Sequence, residues 1–552
     1  MIVWLTKPKD PSYHSDMFVL LASFLACFSD TSSFRNPDLD ETGAPTEPGL
    51  GSDTGREGQA DNAPDSRPGD DTAVETDEPA LLEVDVLVVG SGPAGLTAAW
   101  KAKQTGARVL VLERDELAGG SGIFASNFFA VGTPQQIQAG VTDSPEMAAG
   151  EWAEFTGGGR PDDPWVQRLL HESSDILSWL LHDLGGEFLG LEPDPNAGTV
   201  ERLHSVSYGD KHPLHTLIAE LEEDTWLQHE ATGLVKQGQR IVGATVTDLR
   251  NGESAWIASK ETILATGGFA RDEKELLEDR KDIQGLLVLY EAHHITDGGG
   301  LPLLRDAGAA FQNAGNYGLY VHAIQDPREG MEREALWIPK LREGLIVDLD
   351  GQRVGDETLS RGFQLQHLLL AAPERRLLVL FPAESWGTQQ FVVPGFNLSD
   401  PSEPNTLSAH ELIQSGAVRV HSDLDQTATS WGIPIAALNA TVETYNAAAD
   451  DGYDAEFNKD PSHLLSFQQG PYYSAELRLG AAKAFGGAEL DASGRVLDEN
   501  GEIIEGLWAA GEAAGMLGTE AVSQGFSGSV TACYLTGQVA GQHAAAEALS
   551  DP

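Results

Sequence analysis

Residues 84–89, Val-Asp-Val-Leu-Val-Val, are apolar except for Asp85, the pattern of a strand buried on both faces. A glycine-rich hexapeptide follows. Residues 96–104, Leu-Thr-Ala-Ala-Trp-Lys-Ala-Lys-Gln, are good helix formers, and residues 108–112 form a second apolar run. Further on, Asp163-Pro164 opens a stretch in which Trp165, Leu169, Ile176, Trp179 and Leu180 recur at helical spacing, predicting a core-facing amphipathic helix. Thr142 to Glu146 reads as another helix start. Residues 225–265 are strand-rich, with Asn251-Gly252 as a hairpin signal. Asp350-Gly351 marks a second hairpin, and residues 408–416, 433–450 and the C-terminal stretch from Gly525 read as helices. Strands interleaved with helices predict an α/β fold.

The hexapeptide Gly90-Ser-Gly-Pro-Ala-Gly95 has the G-x-G-x-x-G spacing and stands where a strand turns into a helix. Gly90 allows the tight turn, Gly92 lets backbone approach a pyrophosphate, and Gly95 lets helix and strand pack closely. Helix-start amides and the helix dipole favour phosphate there. Gly90, Gly92, Pro93, Ala94 and Gly95 are therefore candidate cofactor contacts. Glu113 closes the second strand, and an acid at that place suits a ribose diol.

The 552 residues suffice for two or three domains. A formal net charge of −50 argues against a nucleic-acid partner. Two cysteines, Cys27 and Cys533, cannot build a disulfide framework or a cysteine metal site, and no metal is expected. Residues 1–27 are expected to be a signal peptide: Lys7 and Lys9 precede an apolar run at 17–26 that is too short to span a bilayer. Ala26-Cys27 resembles a bacterial lipobox, which predicts export to the periplasm or cell envelope with Cys27 as lipid anchor; a plain cleaved signal and an apolar N-terminus with no export role are the alternatives. Residues 28–82 read as a disordered acidic linker, with thirteen acids against three arginines between Phe34 and Ala80.

After Glu113 and Arg114, the sequence Gly119-Gly-Ser121 leads into small residues, and Thr262-Ile-Leu-Ala-Thr-Gly-Gly268, Thr296-Asp-Gly-Gly-Gly300 and Gly511-Glu512 follow in order. Together these resemble the fumarate reductase and succinate dehydrogenase flavoproteins, with 3-ketosteroid dehydrogenases among the relatives. The resemblance implies a Rossmann-like FAD-binding domain of the GR2 type, formed by residues 83–312 and 471–552, with an inserted α+β capping domain at 313–470. It implies FAD contacts at Glu113, Arg114, Gly119, Gly120, Ser121, Ala125, Ser126, Val235, Ala265, Thr266, Gly267, Gly268, Asp297, Gly511 and Glu512. It adds Ser527, Gly528, Ser529 and Val530, where a helix start would face the flavin pyrimidine. No histidine lies between Gly119 and Ala130, so the FAD is expected to be non-covalent.

The same resemblance points to Arg361, eight residues after Arg353, as proton donor or substrate cation. Lys483 stands where the family has a histidine, and His322, with Tyr317 and Tyr320, lies where a substrate-binding histidine is expected. The family's second substrate arginine is replaced by Ser523 or Gln524, and its cap threonine–glutamate pair by Trp337 and Ile338. Without that dicarboxylate clamp, fumarate is not the expected substrate. The expectation is an oxidoreductase moving hydride between flavin N5 and an activated carbon–carbon bond of an enoate or enone. It would use a small-molecule substrate and an external electron donor or acceptor, since no Cys-x-x-Cys-His occurs. A non-catalytic flavin or electron-carrier lipoprotein and an O2-using oxidase are the alternatives.

Overall fold

The computed structural model describes residues 80–207, 209–292, 294–338, 340–359, 363–386, 390–392, 406–515 and 526–550. The signal peptide, Cys27 and nearly all of the acidic linker lie outside them, as do Arg361, Ser523 and Gln524. Strand β1 (Leu82–Val89) leads through helix α1 (Pro93–Thr105) to β2 (Val109–Leu112). In one sheet, Thr225–Trp226, β2, β1, β3 (Ser254–Leu264) and Ile503–Ala509 run parallel in that order. A hairpin of His229–Gln237 and Arg240–Asp248 joins β3 antiparallel.

The unbroken apolar pattern of β1 has a direct cause. Val86 and Val88 enter a core on one face of the sheet, while Val84, Leu87 and Val89 enter the core on the other. Asp85 is tolerated because Arg108 on the neighbouring strand pairs with it, Nε to Oδ2 at 3.0 Å, and that hydrogen bond holds its carboxyl at about 2. Helix α1 starts on Pro93 and ends on Gly106 at φ 100°, the left-handed value that suits glycine.

The second sheet is built around a long strand. Here β4 (Val288–Tyr290) runs parallel to β7 (Tyr472–Ala484), which also pairs antiparallel with β5 (Tyr317–Gln325) and Leu377–Phe381; β6 (Ala335–Trp337) follows β5. Tyr317, Leu319 and Val321 point into a core with Leu477, Leu479 and Ala481. Gly318, Tyr320 and His322 alternate to the opposite face. The register shifts between Tyr320 and Ala323, which places His322 at an irregularity of the strand.

Helix α2 (Val530–Ser550) packs along α1. A Cβ at Gly537 or Gly541 would overlap the carbonyl oxygens of Ala94 and Ala98, so the glycines set how closely the helices approach. This contact carries the start of α2 to the end of the first sheet where the glycine turn lies. Among the described residues no helix is long and apolar enough to cross a membrane.

Candidate cofactor and substrate site

At the end of β1, Gly90 has φ 102° and lies so close to Ala265 that a side chain would overlap its carbonyl oxygen; one at Gly95 would overlap the carbonyl of Gly90. A Cβ at Gly92 would meet no atom within 4 Å. The turn is thus tight behind Gly90 and Gly95 and open in front of Gly92. Glu113 is buried, and its carboxylate accepts from the Ser91 amide at 2.9 Å, the Ser91 hydroxyl at 2.7 Å and the Asp115 amide at 2.9 Å.

The loop from Gly119 to Ser126 returns to the same place. The Gly119 amide donates to the Ser91 carbonyl at 3.0 Å, and Gly120 lies beside Gly92. Behind it, His212 accepts from the Leu214 amide at Nδ1 and therefore donates from Nε2 to the Ala125 carbonyl, at 2.7 Å. Burial lowers the His212 pKa to about 4, so the ring is neutral and the bond is a plain brace. Arg114 pairs with Asp297 at 2.7 Å and donates to the Ile295 carbonyl at 2.6 Å, tying β2 to the Thr296–Gly300 turn. Val235 is buried in the hairpin strand beside β2.

At the other end of the site, the turn Ala265–Gly268 meets Gly511-Glu512. The Gly268 amide is a hydrogen-bond donor to Glu512, yet desolvation raises that carboxyl to about 7 against the lowering effects of Lys483 and Gly268. A carboxylate so placed has too few donors to offset its burial. Ser527, Gly528 and Ser529 lead into α2: Ser527 donates to Asp194 at 3.2 Å, and Gly528, at φ 74°, leaves no room for a side chain beside Phe129. Val530 is the first residue of α2.

From there the site passes to the second sheet. Lys483 donates to the Ser529 hydroxyl at 2.9 Å. The Lys483 Cβ and the Tyr320 hydroxyl both flank Gly318, within 3.5 Å of the point where its Cβ would stand. Tyr320 stacks on His322 at 5.3 Å, and His322 Nε2 donates to Glu291 at 3.0 Å. Trp337 meets His322 edge-on at 5.4 Å, and Ile338 donates its amide to the His322 carbonyl. Lys483 and His322 are thus joined on one face through Tyr320. Tyr317 is corrected out of the set: it is fully buried in the opposite core, where its hydroxyl donates to Asp279 at 2.9 Å. Of the proposed arginine pair, Arg353 is buried between Glu357 (3.0 Å) and Asp454 (2.9 Å), whereas Arg361 lies outside the described residues.

Residues 85–527 match the family model described as "FAD binding domain". The chain belongs to this FAD-binding family. Among curated relatives, it is 26% identical over 492 residues to a vinyl phenol reductase of Lactiplantibacillus plantarum, covering 84% of this chain and 96% of that protein. It is 26% identical to a fumarate reductase (cytochrome) of Shewanella frigidimarina, covering 84% and 77%. Its fold superposes on the open conformation of a flavocytochrome c3 fumarate reductase with a TM-score of 0.66 at 25% identity, covering 85% of this chain and 79% of that one. The Rossmann-like flavoprotein fold expected from the sequence is therefore the fold observed.

The residues present fit FAD. The open front of Gly92 accepts a diphosphate, the acid at Glu113 matches a ribose diol, and the donor-poor Glu512 carboxylate matches ribityl hydroxyls. Ser527 to Val530, at the start of α2, would be the residues holding the cofactor's isoalloxazine, with Lys483 hydrogen-bonded to Ser529 beside them. Sequence reasoning did not find Ser91, His212 and Glu291. Ser91 sits inside the recognised motif and could have been noticed; His212 and Glu291 belong to no motif.

Proposed function

We propose that the protein transfers hydride between flavin N5 and an activated carbon–carbon double bond of an enoate- or enone-type substrate, and that the substrate is not fumarate. Bound FAD supplies the redox chemistry. The chain's own residues supply position and charge. Lys483, hydrogen-bonded to Ser529 at the start of α2, is the cation available for a carbonyl or carboxylate oxygen next to the flavin site. Arg361 is assigned the proton, on its spacing from Arg353. The buried Arg353–Glu357–Asp454 cluster anchors the chain just ahead of it. Tyr320, His322 and Trp337 line the remainder, an aromatic and imidazole surface in which Trp337 stands in place of the family's cap threonine.

The observation that carries this reading is the continuous face from Ser529 through Lys483 and Tyr320 to His322. The reductases among its relatives support it. Electrons would come from a separate donor or go to a separate acceptor. The N-terminal 27 residues are proposed to direct export, with Cys27 as lipid anchor.

The test is anaerobic re-oxidation of the reduced holoprotein by a panel of enoates, enones and fumarate. Re-oxidation by an enoate or enone, with fumarate inert, is expected. If no unsaturated compound re-oxidises the flavin, the reading fails, and a flavin or electron carrier replaces it.

A further inference from the structure

Three cations drawn into the interior of this chain each lie against a carboxylate: Arg202 on Asp143 at 2.8 Å, Arg353 on Asp454 at 2.9 Å and Lys459 on Glu357 at 3.2 Å. Lys483 differs. It is half-buried, it makes no ion pair among the described residues, and its ammonium donates to the Ser529 hydroxyl. A partly desolvated ammonium without a counter-ion is costly. In a chain of net charge −50, acids to pair with it are not scarce.

The backbone fixes where this charge sits. Lys483 lies on β7 opposite Gly318 of β5, and its Cβ stands 3.4 Å from the point a Gly318 Cβ would occupy. The groups around the ammonium belong to the cofactor site. Ser529 stands at the start of α2. The Gly511 amide donates to Thr536 of α2 at 2.9 Å, so the Gly511-Glu512 turn meets the same helix. Desolvation raises the Glu512 carboxyl, and Lys483 is the charge that most opposes the rise. Burial raises the Cys533 thiol in the first turn of α2, Glu512 adds to that rise, and Lys483 opposes it. The ammonium thus acts on both segments that would hold the flavin end of FAD.

Reducing a flavin adds negative charge to its ring. A fixed cation beside the ring stabilises the reduced form more than the oxidised one, and partial desolvation strengthens the effect. We infer that Lys483 is the counter-charge of the reduced flavin and raises its reduction potential, in addition to any substrate oxygen it holds. Ser529 is the positioning residue, because its hydroxyl keeps the ammonium at the start of α2. The inference rests on FAD binding and not on the proposed double-bond chemistry.

The test uses the full-length, FAD-loaded protein without substrate. Anaerobic reduction against a reference dye reads the potential. Sulfite titration gives a second reading, because sulfite bonds to flavin N5 and leaves a negative charge on the ring. In Lys483→Met the reduction equilibrium should fall at least tenfold, about 30 mV for a two-electron couple, and sulfite should bind more weakly. Lys483→Arg should restore most of both. An unchanged potential in Lys483→Met would overturn the inference and leave the lysine to the substrate alone. A loss that Lys483→Arg does not restore at all would overturn it too, by making the role one of packing. Where Lys483→Met does not retain FAD, the wild type decides: sulfite should bind it at least tenfold more tightly than it binds free FAD, and an affinity no higher than that of free FAD would overturn the inference. Failure of every alkene in the re-oxidation panel would remove the proposed reaction and leave this inference standing.

Discussion

Ser91 donates both its amide and its hydroxyl to the carboxylate of Glu113, at 2.9 and 2.7 Å. The glycine turn and the acid that follows β2 are thus one unit, held together by the chain's own hydrogen bonds. Removing the acid takes away a charged acceptor, a group whose hydrogen bonds contribute about 1.5–3 kcal/mol. Glu113→Ala should weaken FAD binding by about tenfold to a hundredfold, with Ser91→Ala showing a smaller loss. Fluorescence titration of the apoprotein with FAD measures both, and an unchanged affinity in Glu113→Ala would remove its assigned role.

Two neighbouring glycines should behave differently. At Gly95 a methyl group would overlap the carbonyl of Gly90, whereas at Gly92 it would enter open space. Gly95→Ala is expected to lower stability by more than about 2 kcal/mol through overpacking. Gly92→Ala should melt within about 0.5 kcal/mol of wild type and yet bind FAD poorly, because the methyl occupies the diphosphate approach. Thermal melts of the apoprotein paired with flavin content separate the two effects.

Glu512 makes the apoprotein sensitive to pH. Its carboxyl is raised from 4.5 to about 7 in the folded state, chiefly by desolvation. The folded protein therefore holds the proton more tightly than the unfolded chain. This stabilising contribution is fully present below pH 4.5 and is lost as pH rises to about 7, by an amount on the order of 3 kcal/mol at most. Urea melts of apoprotein across that window should show a falling component that is absent in Glu512→Gln. FAD hydroxyls donating to the carboxylate should flatten the slope in the holoprotein.

Glu357 is buried between two cations: Arg353 at 3.0 Å and Lys459 at 3.2 Å. Glu357→Ala would leave the Lys459 charge unpaired in the interior and Arg353 with Asp454 as its buried partner, and should cost about 3–5 kcal/mol, read as a lower urea midpoint. Arg361→Ala is expected to leave that midpoint unchanged while reducing turnover at least a hundredfold, as loss of a proton donor does. An unaltered rate would discard Arg361.

Cys27→Ala should release the protein from the membrane fraction without changing its flavin spectrum. Identical fractionation of the two forms would argue for a plain cleaved signal.

The amino-acid sequence alone was enough to place β1, α1, β2, the glycine turn and Glu113, because each depends on short-range chemistry: an apolar run, a spacing of glycines, an acid ending a strand; the Gly511-Glu512 turn was placed by the family resemblance. It also marked Trp337 and Ile338 as apolar where the resembling family has a threonine–glutamate pair. Tertiary structure decided the remainder. Val288–Tyr290 and Tyr472–Ala484 pair in the second sheet although long stretches separate them in the chain, and nothing in either strand names its partner. The same distance hides Glu291 from His322 and Gly268 from Glu512. Tyr317 and Tyr320 look alike in sequence, but the pleat sends one into the core and leaves the other beside Lys483. Hydrophobic period and turn chemistry are local properties of a chain; which polar groups become neighbours depends on how distant segments fold together.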